Sequence, residues 1–186
     1  MATVAHRLPY GALTKAILTT LAAGSLVLAV ATLPGLALAL RPFLPRRRHH
    51  STAVRQATYR LAKQRLVKLQ QRGRRTTVAL TETGKQRALR YRVANLAIKK
   101  PKQWDGRWRI VIFDIPEERK AVREALRAKF RSLEFYQLQR SVFITPYACR
   151  EVIEFLKSYF HIDRYVHYGE LTAIDCDRFL REQFEV

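Results

Sequence analysis

Apolar positions along the chain first run together and then become periodic. Residues 16–40, AILTTLAAGSLVLAVATLPGLALAL, are 25 consecutive uncharged positions, interrupted by Pro34-Gly35. Proline is accepted in the first turn of a helix. The stretch therefore predicts one helix from about Leu13 to Leu33 and a second from about Pro34 to Leu44. It is also long enough to span a bilayer, and Arg46-Arg47-Arg48 behind it would hold that side cytoplasmic. Ala37-Leu38-Ala39 has the small-residue form of a signal-peptide cleavage site. A helix apolar all round is buried in protein or in lipid alike. Burial in a folded domain, favoured by the Ala and Thr content and the Pro-Gly break, thus stands beside membrane association through Ala16 to Leu40.

A helical period follows. His50-Ser51-Thr52 offers N-caps, and Val54, Ala57, Leu61 and Ala62 make one apolar stripe of a helix from about Thr52 to Arg65. Its other faces carry Arg55, Tyr59, Arg60, Lys63 and Arg65, with Gln56, Thr58 and Gln64 between them. The period then drops to two. Val67, Leu69 and Gln71 alternate with Lys68 and Gln70, and Thr76, Val78 and Leu80 mirror them across Arg72-Gly73-Arg74, which predicts a β-hairpin. Leu80-Thr81-Glu82-Thr83-Gly84 leads into another helix, whose stripe is read as Leu89, Val93 and Leu96.

Residues 97–103, AIKKPKQ, carry no period and read as a linker between a first domain at 11–96 and a second at 104–186. The second domain opens with Trp108-Arg109-Ile110-Val111-Ile112-Phe113-Asp114-Ile115, a nearly continuous apolar strand suited to the middle of a sheet. A helix begins near Pro116-Glu117-Glu118, acids in its first turn, and buries Val122, Leu126, Phe130 and Leu133. Phe135 to Pro146 is one bent strand or two short paired ones. A helix from about Ala148 to Phe160 buries Val152, Ile153, Leu156 and Tyr159. Tyr165 to Leu171 is the last strand. The order β-α-β-β-α-β is the ferredoxin-like pattern, so the fold class is α+β.

Charge separates the same two halves. The chain has 186 residues, with 35 Lys and Arg against 15 Asp and Glu. Met1 to Lys100 holds 20 of the basic residues and one acid, Glu82; Pro101 to Val186 holds 15 basic and 14 acidic residues. A polycationic half points to a polyanionic partner, duplex DNA ahead of RNA or anionic lipid. The hydrophobic content excludes a disordered chain. Two cysteines, Cys149 and Cys176, exclude a zinc finger or disulfide scaffold and suit a reduced, cytoplasmic protein.

A basic helix, a hairpin with an arginine-rich tip and an L-T-x-x-G step into a helix together resemble a winged helix-turn-helix. In that family the third helix enters the major groove and the wing touches the backbone or minor groove. The resemblance implies a recognition helix carrying Arg55, Tyr59, Arg60, Lys63 and Arg65, and a wing tip of Arg72, Arg74 and Arg75. In the second half, the strand RIVIFDIP and Gln139-Arg140-Ser141-Val142-Phe143 resemble the small CRISPR-associated ferredoxin-like nuclease of spacer acquisition. They are also similar to the middle domain of the phenylacetate-degradation repressors, the PaaX family, which carry a winged helix in front. Trp104-Asp105-Gly106-x-Trp108 and Phe135-Tyr136-Gln137-Leu138-Gln139 look more like the repressor version. Ile144-Thr145 departs from the nuclease, which often has an acid and Gly there. The sequence stops near Val186 without the repressors' third domain, which leaves the effector response open.

The PaaX resemblance implies a DNA-binding transcriptional regulator, a repressor, that acts as a homodimer. A small-molecule effector would go unidentified, and no cofactor is expected. The nuclease resemblance implies the alternative, an endonuclease or adaptation subunit. There Asp114 from each of two copies would hold Mg²⁺, a hard cation served by few carboxylates, and activate water. Against a catalytic role, an Asp ending a strand before Ile-Pro-Glu can simply cap the next turn. The five histidines form no ligand pattern, Cys149 has no base partner in sequence, and there is no Gly-rich phosphate loop. Trp104 and Trp108 are expected to pack at the domain junction.

Overall fold

The apolar N-terminal run breaks into three short elements rather than two helices. The computed structural model describes residues 10–23, 30–41, 50–73 and 75–186. Within the first half lie α1 (Tyr10–Ala23), β1 (Val30–Thr32), α2 (Leu33–Ala39), α3 (His50–Lys63), β2 (Val67–Arg72), β3 (Arg75–Leu80) and α4 (Glu82–Ala94). The helix expected through Leu33 is thus corrected: it ends at Ala23, and residues 30–32 pair antiparallel with β3, Val30 opposite Ala79 and Thr32 opposite Thr77. Val and Thr suit a strand, and this edge gives their backbone groups partners. Thr32 then caps α2, its hydroxyl accepting from the Gly35 N–H at 3.2 Å, with Pro34 in the first turn.

The three-stranded sheet runs β1-β3-β2, with β2 and β3 forming the expected hairpin from Val67↔Leu80 to Arg72↔Arg75. One core joins Ile17, Leu18 and Leu21 of α1, Leu36 of α2, Leu40, Val54, Ala57 and Leu61 of α3, Val78 and Ala88. The apolar segment therefore packs into protein at these positions. Among the described residues no helix is long and apolar enough to cross a membrane. In α4 the buried residues are Gly84 and Ala88, not the expected Leu89, which is exposed. Small residues let this helix lie close to its neighbours.

The chain divides into two compact units, Met1–Asn95 and Leu96–Val186. The second contains β4 (Trp108–Phe113), a short 3₁₀ turn (Glu117–Arg119), α5 (Lys120–Ser132), β5 (Tyr136–Gln139), β6 (Val142–Thr145), α6 (Arg150–Phe160), β7 (Val166–Leu171) and α7 (Asp177–Phe184). The antiparallel sheet is ordered β5-β6-β4-β7, the arrangement of a ferredoxin-like domain, with β4 central as its apolar run required. On one face Phe113, Phe130 and Phe143 cluster with ring centroids 5.1–6.1 Å apart.

The other face is half covered by α7, an element the sequence reading did not anticipate. Leu180 is buried with Trp108 and Ile144, and the Trp108 indole N–H donates to Asp177 at 2.7 Å. Trp104 and Trp108 lie 4.7 Å apart by ring centroid, with Trp108 fully buried. They anchor α7 to the sheet. The Leu180 and Phe184 pair, four apart on one helix face, was the available signal.

Candidate nucleic-acid interface

In α3 the apolar positions decide which way the polar ones point. Val54, Ala57 and Leu61 are buried, and Thr58 joins them because its hydroxyl is satisfied by the Val54 carbonyl at 2.8 Å. Arg55, Gln56, Tyr59, Arg60 and Lys63 are left outward, lining one shallow concavity of about 440 Å³. The Arg55 guanidinium lies 5.9 Å from the centre of the Tyr59 ring, a cation–π spacing. Tyr59 remains 46% exposed. Gln56, one of the polar residues between the basic ones, is on this surface.

The end of α3 is fixed to the hairpin by a compact set of bonds. Arg65 has φ +57°. Its N–H donates to Ala62 O at 2.9 Å and that of Leu66 to Leu61 O at 3.0 Å, which closes the helix in a left-handed cap. The Thr81 hydroxyl donates to Arg65 O at 2.6 Å and accepts from the Gly84 N–H at 3.0 Å, while the Thr81 N–H donates to Leu66 O at 3.1 Å. The L-T-x-x-G step is therefore a clamp joining the recognition-helix candidate, the hairpin base and α4. Arg65 itself is exposed.

At the hairpin tip Gly73 takes φ +57°, a conformation glycine accepts without cost. Arg75 is exposed and stands opposite Arg72 in the ladder. Arg74 and the side chain of Arg72 lie outside the described residues.

In the second unit Asp114 ends β4 with an exposed side chain, and its N–H donates to Tyr165 O at 3.0 Å. The cap reading is corrected: the following 3₁₀ turn and α5 have Pro116 and Arg119 as their N-cap residues and no side-chain cap bond. Among the described residues no three His, Cys, Asp or Glu side chains gather as metal ligands.

The charged groups of this unit serve its architecture. The Arg109 guanidinium, buried at the start of β4, donates to Asp105 and, at 2.7 Å each, to the carbonyls of Arg107 and Pro146. The hydrogen bonds from Arg109 hold the Asp105 carboxyl down at about 2. Burial pushes the Cys149 thiol up to about 12, so it is no nucleophile at neutral pH. Tyr168 is likewise raised to about 12 by burial.

Residues 101–178 match the family model of the PaaX protein central Cas2-like domain. No curated protein matches the chain.

Proposed function

We propose that this chain, whose residues 101–178 match the central Cas2-like domain of the PaaX protein, is a sequence-specific regulator that binds duplex DNA through its N-terminal unit and represses transcription. The observation that carries the reading is the two-faced α3: one side sunk in the core, the other presenting Arg55, Tyr59, Arg60 and Lys63. A helix of this composition, followed by a hairpin with an arginine tip, has the order of a winged helix-turn-helix. The 20-to-1 excess of basic over acidic residues up to Lys100 supports a polyanion as partner. In this reading Arg65, Arg72, Arg74 and Arg75 hold phosphates beside the groove, and the protein works in the cytoplasm.

Dimerisation is assigned to the ferredoxin-like unit. On the sheet face where α7 packs, Ile112 of β4 stays 45% exposed, and Phe179 of α7 is 47% exposed; large exposed apolar groups of this kind mark association surfaces. A twofold dimer would bring two copies of α3 to a roughly palindromic site.

Selection of bound duplexes from a random pool with Mg²⁺ present tests both this reading and its nuclease rival. An enriched, roughly twofold-symmetric motif with intact ends is the expected result. Fresh breaks in the pool that vanish with Asp114→Ala would replace the regulator by a nuclease.

A further inference from the structure

The buried side of α3 fixes a line along its opposite side. On a helix of 3.6 residues per turn, Val54, Ala57, Thr58 and Leu61 centre on one direction, and Thr52, Gln56, Tyr59 and Lys63 run diametrically opposite. Arg55 and Arg60 fall about 70° to either side of that outer line. Gln56, Tyr59 and Lys63 line the same concavity as the two arginines, and Thr52 is exposed one turn before them.

We propose that Gln56 is the base-reading residue of α3, specific for adenine, and that Arg55 and Arg60 are phosphate contacts on the two flanks. The assignment rests on the DNA-binding reading above and reverses the simplest expectation, that the arginines read bases. A helix with its side chains nearly fills the major groove, about 12 Å wide. Residues on the outermost line therefore reach the base edges on the floor, and those to the sides meet the phosphate walls.

The chemistry agrees with the placement. Adenine presents an acceptor at N7 and a donor at N6, and the amide of Gln56 supplies the matching donor and acceptor as a pair. An arginine has five donors and no acceptor, which suits a phosphate on either strand. Thr52 and Tyr59, on the same line, offer a methyl and a ring edge to the thymine methyl. Readout in helix-turn-helix proteins concentrates at the N-terminal part of the recognition helix. That places Thr52 and Gln56 ahead of Lys63. The half-site read by α3 is thus centred on A·T pairs.

The test compares selections with the full-length chain and its variants, together with binding to one selected and one random duplex across a salt series. The wild type should enrich a motif with an A·T pair in each half-site. Gln56→Ala should lose the preference at that pair by tenfold or more while keeping its affinity for the random duplex and its salt slope. Gln56→Arg should move the preference there to G. Arg55→Ala and Arg60→Ala should weaken both duplexes alike and lower the salt slope by about one each. A motif unchanged in Gln56→Ala, or relaxed at a G·C position in either arginine variant, overturns the assignment while leaving DNA recognition standing. No motif from the wild type overturns sequence-specific recognition itself, and the assignment with it.

Discussion

The carbonyl oxygen of Leu66 stands 1.9 Å from the point a Cβ on Gly84 would occupy. Only a glycine lets the first turn of α4 close against the corner between α3 and β2. The same corner receives the Thr81 hydroxyl and N–H, so one tight contact sets the angle between α3 and its hairpin. Gly84→Ala forces a methyl into backbone that cannot swing aside. It is expected to cost about 2–3 kcal/mol in urea unfolding, and to weaken DNA binding because the hairpin shifts relative to α3.

Arg65 holds φ +57° without being a glycine, a placement that costs on the order of 1 kcal/mol. Arg65→Gly relieves it. Thermal unfolding should show a more stable first unit, while the salt-dependent part of duplex affinity falls through the lost cation. A variant stabilised with DNA binding unchanged would remove Arg65 from the interface.

Asp105 carries a pH signature. Its carboxyl is held at about 2 against an ordinary value of 3.8, because Arg109 hydrogen-bonds its charged form. The folded value is the lower one, so the stabilisation is present above about pH 4 and lost as pH falls through 2. At neutral pH Asp105→Asn should be less stable than wild type, since it strips the buried Arg109 of its charged partner. Unfolding measured at stepped pH should show the gap narrowing from pH 4 downward. A constant gap would break the link to this carboxyl.

The two thiols differ in burial. Cys149 is buried with its thiol raised to about 12, whereas Cys176 is half-exposed. A disulfide reagent at neutral pH should modify Cys176 promptly in the folded protein and reach Cys149 only after denaturation. Fast loss of both would contradict the buried position at the start of α6.

Ile112 sits in the central strand with its side chain exposed on the sheet face where α7 packs. Ile112→Asp should convert the proposed dimer to monomer in sedimentation. The second unit should stay folded, because the core on the other face does not include this side chain. Half-site affinity should survive while affinity for the full palindrome drops.

Much of this protein is set locally and was legible along the chain. The stripe Val54, Ala57, Leu61 chose the buried side of α3. Alternation fixed the hairpin, and the apolar run from Trp108 to Phe113 marked the central strand of the ferredoxin-like sheet. Charge divided the two halves before any fold was considered, and RIVIFDIP with Gln139 to Phe143 carried the family resemblance. These signals are periodicities and compositions, which need no distant partner.

Tertiary structure decided the rest, because there the deciding partner is far away in sequence. Residues 30–32 became a strand because β3 offered an open edge some 45 positions later. α4 buries Gly84 and Ala88 rather than Leu89 because Leu66 approaches it so closely. Trp108 is anchored by Asp177 of a helix that only makes sense once the sheet exists to be covered. The place of Gln56 between two arginines also emerges only when burial fixes which side of α3 faces the core. A short polar side chain has no periodic signature of its own; its role is given by what lies opposite.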